Sequence, residues 1–317
     1  MNITFRQLKL FLALADTGSV SGAARAMHVT QPTASMQLRE VTQAVGMPLY
    51  EVVGRKVHLS EVGQELARTA REMVQTWDAF AQGVDAHRGL TRGKLRVAVV
   101  STAKYFMPRL IGSFCKKHPL LDVSLEILNR DGVVQRMRQN LDDLYIMSQP
   151  PRDVDLVDAV FLDNPLVLIA ARTDPLARQA QVPLQALTQH RFILREKGSG
   201  TRMGTDQCFK AQKFRPNVRM ELGSNEAVRE AVAGGLGLGV VSRHALGALR
   251  KDSGVAVVDV KGFPILTHWH IAHPTGKKLS PVASAFQAHL LREVAQASNA
   301  TPPATRGAAA LIRNGAR

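Results

Sequence analysis

Apolar positions in the first ninety residues recur at helical spacing, and beyond them the chain turns to short apolar runs set between turn signals. Phe5, Leu8, Leu12 and Ala15 lie three or four residues apart, which predicts an amphipathic helix that Gly18 ends. Thr4 and Gln7 have the spacing of a capping box at its start. A second, short helix is expected after Ser19, and its small residues Gly22, Ala23, Ala24 and Ala26 let a neighbouring helix cross closely. His28-Val29 then makes a turn. Thr30 caps a third helix with Pro32 in its first turn, where a missing N–H costs nothing. On that helix Ala34, Leu38 and Val41 form the inward stripe, leaving Gln31, Thr33, Ser35, Gln37 and Arg39 outside.

Past Gly46, residues 49–59 read as two short strands around the basic turn Gly54-Arg55-Lys56. Ser60 caps a long helix reaching to about residue 88. Its apolar residues Leu66, Ala70, Met73, Trp77, Phe80 and Val84 alternate spacings of four and three, the period of a coiled-coil seam. One such helix has nothing of its own to pack on, so dimerisation through Leu66, Met73, Trp77, Phe80 and Val84 is expected. Gly89 to Gly93 reads as a hinge.

From Lys94 the texture changes. Strands are expected at 95–100, 123–127, 144–147, 157–162, 166–171, 192–194, 218–222, 238–241, 255–260 and 268–272. Helices around 106–116, 133–140, 199–212, 226–233 and 280–297 separate several of them. This alternation predicts an α/β architecture with largely parallel sheets. The segment from Ser298, with Pro302-Pro303 and an Ala/Gly/Arg composition, lacks a packing face and is expected to be disordered.

Composition changes this picture little. With 317 residues, 45% apolar and 21% charged, the chain has the make-up of a soluble globular protein of two or three compact units. No apolar run approaches the ~20 residues that cross a bilayer, and no export signal is legible, so a cytoplasmic protein without membrane partners is expected. Cys115 and Cys208 read as buried thiols, not ligands or nucleophiles. The net charge of +15 points to polyanionic partners, but residues 1–60 hold six Lys/Arg against three Asp/Glu while 94–300 hold 28 against 18. Most of that excess reads as solvated surface, and a smaller part as serving an anionic ligand.

A helix-turn-helix puts the start of its second helix into the major groove. There Gln31 and Gln37 suit adenine, Thr33 a thymine methyl or base edge, and Arg39 guanine or phosphate. On pattern alone, a plain three-helix bundle with a polar face explains the same residues equally well. Two later turns stand out. Ser101-Thr102-Ala103-Lys104 and Arg195 to Arg202, with Gly198, Ser199, Gly200 and Thr201, each follow a strand and open a helix. Such turns offer backbone N–H groups to an anion, with Lys104 and Arg202 as countercharge. For either turn alone, simple turn-making and helix capping are as good an explanation. Ser224-Asn225 is either a further cleft-edge turn or a helix cap. Gly234-Gly235-Leu236-Gly237 follows a helix and precedes a strand, so it reads as helix termination, and His268 and His270 as packing or surface residues. No catalytic constellation and no metal-ligand spacing is legible.

Residues 4–63 resemble the DNA-binding domain of LysR-type transcriptional regulators. The motifs are Phe5-Arg6-Gln7-Leu8, Gly18-Ser19-Val20-Ser21-Gly22-Ala23-Ala24, Val29-Thr30-Gln31-Pro32-Thr33-Ala34-Ser35 and Leu59-Ser60-Glu61-Val62-Gly63. The resemblance implies a winged helix-turn-helix that touches DNA through Ser21, Gln31, Pro32, Thr33, Ser35, Gln37, Arg39, Arg55 and Lys56. Val52 stands where the family usually has Arg, leaving Arg55 and Lys56 as phosphate contacts. The remainder resembles the family's two-lobed effector domain, similar to periplasmic binding proteins. The two anion-ready turns then fall on opposite lobes, which favours a site. Within the family, residues 101–106, 142–151, 195–202, 224–228 and 262–265 resemble regulators of carbon-fixation (Calvin-cycle, RuBisCO) operons, and Gln149 joins the effector set. Lys197 and Thr267-His268 depart from that pattern.

The reading is therefore a DNA-binding domain over 1–59, a linker helix and hinge over 60–93, an effector domain over 94–297 and a tail over 298–317. Lobe I takes about 94–162 and 268–297, and lobe II about 163–267. The expected protein is no enzyme and has no cofactor. It is a homo-oligomeric regulator, dimer or tetramer, that binds operator DNA, answers to a small phosphorylated or otherwise anionic metabolite, and has RNA polymerase as a candidate further partner. Regulation of sulfur or aromatic metabolism is the first alternative; an enzyme or solute-binding protein on the 94–297 fold is the second.

Overall fold

The computed structural model describes residues 2–54, 56–87, 93–247 and 254–300, with the backbone alone for 85–87 and 295–300. These form two compact units, one built on the residues up to 87 together with Gln139–Leu141, and one on the remaining residues from 93 onward.

The first unit holds α1 (Phe5–Thr17), α2 (Val20–Ala26), α3 (Gln31–Val45), the strands β1 (Tyr50–Val53) and β2 (Lys56–Leu59), and α4 (Glu61–His87). Both bonds of the Thr4/Gln7 capping box are present, and Gly18 ends α1 in the left-handed conformation. Leu10, Phe11, Leu14, Ala23, Ala34, Leu38, Val41 and Leu49 are buried together, so the three helices share one core. The β1–β2 hairpin pairs Tyr50 with Leu59 and is tied to the end of α1 where the Val57 N–H donates to the Gly18 carbonyl at 2.9 Å. Gly63 packs so close to the Leu49 carbonyl that a side chain there would collide with backbone.

α4 corrects the expectation that it has nothing of its own to pack on. Ala67 and Ala70 are buried in the three-helix core, and Leu66 and Val74 pack against it. Only the later part of the seam is free: Met73, Trp77 and Phe80 are each at least half exposed. The Trp77 ring lies 5.7 Å from Phe80 and 6.1 Å from Phe5.

In the second unit, β3 (Gly93–Val100), α5 (Met107–Lys117), β4 (Leu121–Leu128), α6 (Arg130–Arg138), β5 (Leu144–Met147) and β6 (Leu156–Asp163) build one lobe. The other follows with β7 (Leu166–Ala171), β8 (Arg191–Arg195), α7 (Gly200–Ala211), β9 (Asn217–Leu222), α8 (Asn225–Ala233), β10 (Leu238–Ser242) and β11 (Val255–Val257). β12 (His268–Pro274) and α9 (Pro281–Ala300) return to the first lobe. The sheet orders are β4-β3-β5-β12-β6 and β11-β7-β10-β8-β9.

The expectation of largely parallel sheets is overturned. β3–β4, β3–β5, β8–β9 and β10–β8 run parallel, but β12–β5, β12–β6, β10–β7 and β11–β7 run antiparallel. The cause is the double crossing between lobes: β7 enters the second sheet from the first lobe and β12 enters the first sheet from the second, each opposite in direction to the strands it joins. The crossings lie side by side, with the Asn164 N–H donating to the Thr267 carbonyl at 2.7 Å. α9 reaches Ala300, which places 298–300 in a helix; 301–317 lie outside the described residues, as do 88–92 of the expected hinge.

Candidate functional site

In the first unit, Thr30 caps α3 by accepting from the Thr33 N–H, and Pro32 occupies the first turn. The inward residues Ala34, Leu38 and Val41 are fully buried. That fixes the roll of α3 and turns Gln31, Pro32 and Arg39 to solvent, with Thr33, Ser35 and Gln37 half-exposed beside them. Ser21 on α2 and Lys56 on β2 are exposed; Arg55 lies outside the described residues. Pro32, Ser35, Met36, Arg39, Glu40 and Gln43 line a shallow groove. Met36, 55% exposed, was not singled out by sequence; an apolar residue on an outward helix position is the signal that marks it. Glu40 is held by the Gln7 side-chain amide at 2.8 Å.

In the second unit, Ser101 to Tyr105 form a 3₁₀ turn after β3, with Thr102 and Ala103 buried. Ser199 is the N-cap of α7, yet its side chain makes no capping bond, so the first-turn N–H groups lack a side-chain partner. Gly200 lies against Ser148: a Cβ there would approach the Ser148 hydroxyl to 2.6 Å. Ser224 caps α8, accepting from the Ala227 N–H, so it serves as a helix cap. Asn225, the first helical residue, donates from Nδ2 to Thr102 Oγ1 at 3.3 Å across the lobes.

The cation at this junction is Arg195, which opens the turn 195–202 in the sequence but was not among the cations expected as countercharge. Its side chain is 1% exposed. Nε and Nη2 donate to the Glu196 carboxylate at 2.7 and 3.0 Å, and Nη2 also reaches Ser101 Oγ and the Gly223 carbonyl at 3.3 Å each. Nη1 is buried without a hydrogen-bond partner, and so is Asn225 Oδ1. A buried guanidinium nitrogen is seldom left unsatisfied, because its desolvation is not recovered. The sequence signal was a charged residue directly after the apolar run Phe192-Ile193-Leu194.

The two cations expected as countercharge are otherwise engaged. Arg202 donates from Nε to Asp206 at 2.9 Å and from Nη1 to Glu221 at 2.8 Å and to the Arg195 carbonyl at 2.7 Å. Two carboxylates balance it, so it braces α7 against β8 and β9. Lys104 pairs with Glu226 at 2.8 Å, and that contact helps hold the carboxyl of Glu226 below its ordinary range against the opposing effect of burial.

A cavity of about 420 Å³ opens beside the lobe crossings, lined by Ser148, Gln149, Arg152, Gly204, Thr267 and His268 among others. Gln149 thus lies on it, as does Cys208, which is half-buried, not buried as expected, with its thiol pKa raised by burial; Cys115 is half-buried too. His268 and His270 each pair with a carboxylate, Asp163 at 3.0 Å and Asp158 at 2.6 Å. Among the described residues, no helix is long and apolar enough to cross a membrane.

A winged helix-turn-helix joined to a two-lobed α/β unit with a polar junction between its lobes is the build of a ligand-responsive DNA-binding regulator. Residues 5–64 match the model of the bacterial regulatory helix-turn-helix proteins of the lysR family, and 88–295 match the LysR substrate binding domain. The chain belongs to the LysR family of transcriptional regulators, and its effector unit is of the kind that binds small molecules.

It is 41% identical to the HTH-type transcriptional activator CmpR of Synechocystis sp. (strain ATCC 27184 / PCC 6803 / Kazusa), over 91% of this chain and 95% of that protein. It is 40% identical to the RuBisCO operon transcriptional regulator of Acidithiobacillus ferrooxidans, over 93% and 96%. Among solved structures, the regulatory domain of CcmR from Synechocystis PCC6803 in complex with 2-PG is 45% identical, covering 64% of this chain and 98% of that one with a TM-score of 0.63. Full-length CbnR complexed with its target DNA shares the fold, at 22% identity, a TM-score of 0.63 and coverage of 92% and 99%. These relatives are regulators, which removes the reading of the second unit as an enzyme or solute-binding protein.

Proposed function

We propose that this chain activates or represses carbon-fixation genes as a homo-oligomer, in response to a phosphorylated metabolite bound between the lobes of residues 94–297. The unpartnered Nη1 of buried Arg195, beside Ser101 and Thr102, is the observation that carries the effector half of this reading. An anion there accepts from Nη1, from the hydroxyls of Ser101, Thr102, Ser199 and Thr201, and from the free N–H groups that open α7. The orphaned Asn225 Oδ1 takes a hydroxyl or protonated oxygen of the same ligand. Gln149 lines the neighbouring cavity, and Lys104 and Arg202 position these elements without touching the charge. The relatives named for RuBisCO operons, and the 2-PG (2-phosphoglycolate) complex of a 45% identical domain, support the choice of pathway and ligand class.

Residues 1–59 read operator DNA in this proposal. α3 enters the major groove with Gln31, Pro32, Thr33, Ser35, Gln37 and Arg39, while Ser21, Arg55 and Lys56 meet phosphates. The exposed stretch Met73, Trp77 and Phe80, with Val84, forms a dimer seam that would hold two half-sites together. Replacing Trp77 with Asp moves sedimentation towards monomer and weakens operator binding; an unchanged oligomer rules the seam out. The effector is tested by calorimetry with 2-phosphoglycolate, phosphoenolpyruvate and a sugar phosphate, paired with footprints on the promoter of the adjacent gene. At least one phosphate ester binds and alters the footprint. If none binds, the phosphorylated effector is wrong; if one binds without altering the footprint, the switch is wrong.

A further inference from the structure

We propose that the second unit carries another anion site, separate from the junction at Arg195, which takes a ligand bearing two or more phosphate charges on an organic body. The site is a cavity of about 780 Å³ lined by Tyr105, Phe106, Arg109, Arg229, Arg243, His244 and Leu246, with Ala245 and Gly247. It shares no lining residue with the cavity at Gln149 and Thr267, nor with the cluster of Ser101, Thr102, Arg195 and Asn225.

Three elements distant in sequence supply the three guanidinium groups. Arg109 comes from α5, Arg229 from α8, and Arg243 from the 3₁₀ turn after β10. Among the described residues, Arg109 and Arg243 make no ion pair, and Arg229 meets only Glu230, its neighbour on α8, whose side chain is 69% exposed. Like charges gathered on one concave wall repel each other, and that repulsion is relieved when an anion enters. Glu226, the nearby carboxylate, is already engaged by Lys104.

The rest of the lining is matched to a phosphate ester. Tyr105 stays a phenol, since burial and the Glu226 carboxylate raise its pKa, and Arg229 and Arg195 oppose this only in part. His244 stays neutral, since burial and Arg243 lower its pKa while its bond to the Asp163 carbonyl opposes them. Its ring is wedged 4.7 Å from Trp269 and 6.0 Å from Phe106, which makes that wall rigid. Phe106 and Leu246 give an apolar surface against which a base or carbon chain can lie. A volume of this order is that of small-ligand pockets, roughly 300–1,000 Å³. Three fork-shaped cations suit phosphate oxygens better than one carboxylate.

Calorimetry on the full chain with inorganic pyrophosphate and with ADP tests the site. Arg109→Ala and Arg243→Ala, both at exposed positions, each weaken pyrophosphate by about tenfold or more, the scale of a lost charge-assisted hydrogen bond. Arg243→Lys recovers part of it. Both alanine variants bind 2-phosphoglycolate as the wild type does, and Arg195→Met, whose charge lies near Tyr105 but lines no part of the cavity, weakens pyrophosphate less than either alanine variant does. Wild-type protein that binds neither probe at millimolar concentration overturns the site, as do alanine variants with wild-type affinity for both. Loss of pyrophosphate binding in Arg195→Met, with Arg109→Ala unaffected, assigns that anion to the lobe junction and also overturns it. Failure of 2-phosphoglycolate to bind bears only on the effector proposed above.

Discussion

The DNA-reading helix and the lobe junction solve opposite problems. On α3 the residues proposed to read DNA belong to one helix, are partly or fully open to solvent, and are aimed by a separate buried stripe of Ala34, Leu38 and Val41. At the lobe junction the polar residues are themselves buried: Thr102, Arg195, Ser199, Thr201 and Asn225 are all under 10% exposed. They come from distant stretches and hold one another through Arg195–Ser101 and Asn225–Thr102. Recognition and stability are therefore separable in the first unit and fused in the second. A side chain that only reads DNA is removable without unfolding anything, whereas one at the junction is also part of the packing between lobes.

Arg195→Met is the strongest test of that contrast. It strips Glu196 of its buried partner and removes the bonds to Ser101 and to the Gly223 carbonyl, so about 3 kcal/mol of stability is lost in urea titration together with effector binding. Loss of the effector alone, at wild-type stability, would break the idea that the two are fused. Gln31→Ala is the mirror experiment. Discrimination between operator and random duplex falls by about 1–3 kcal/mol, while the urea midpoint stays in place. Lys56→Ala sharpens the same side: affinity drops on all sequences and the salt slope falls by about one.

The smallest effect is in pH. His289 is buried, its Nε2 2.7 Å from Ser113 Oγ, and burial depresses its pKa below the ordinary 6.5, with Glu293 opposing the shift. A depressed histidine pKa means that the unfolded chain takes up the proton first. The contribution is therefore complete above pH 6.5 and is lost as pH falls through the folded-state value. His289→Gln should flatten the loss of stability of the wild type between pH 6.5 and 5, by about 1 kcal/mol or less. Parallel curves for the two proteins would count against it.

Local signals in the sequence determined the N-terminal unit almost entirely. Thr4/Gln7, Ser19, Thr30/Pro32 and Gly18 are punctuation read within four residues, and each does in space what its spacing says. The positions of the ten strands were legible for the same reason, since apolar runs between turn residues are a local pattern, although β11 stops at Val257. Strand direction was not, because it depends on where the chain goes between strands: among the described residues, the two strands that cross between lobes, β7 and β12, account for all four antiparallel pairings of the second unit, half of its total. Sequence also marked Ser101–Lys104 and Gly198–Arg202 as candidate anion turns, because strand-to-helix turns present N–H groups wherever they occur. Which cation is left to face an anion in the proposed site was decided only by tertiary structure. Glu221 and Asp206 claim Arg202, Glu226 claims Lys104, and the burial of β8 leaves Arg195 with one nitrogen free. A charge is neutralised by whatever the fold brings within about 4 Å of it, and no spacing along the chain records that distance.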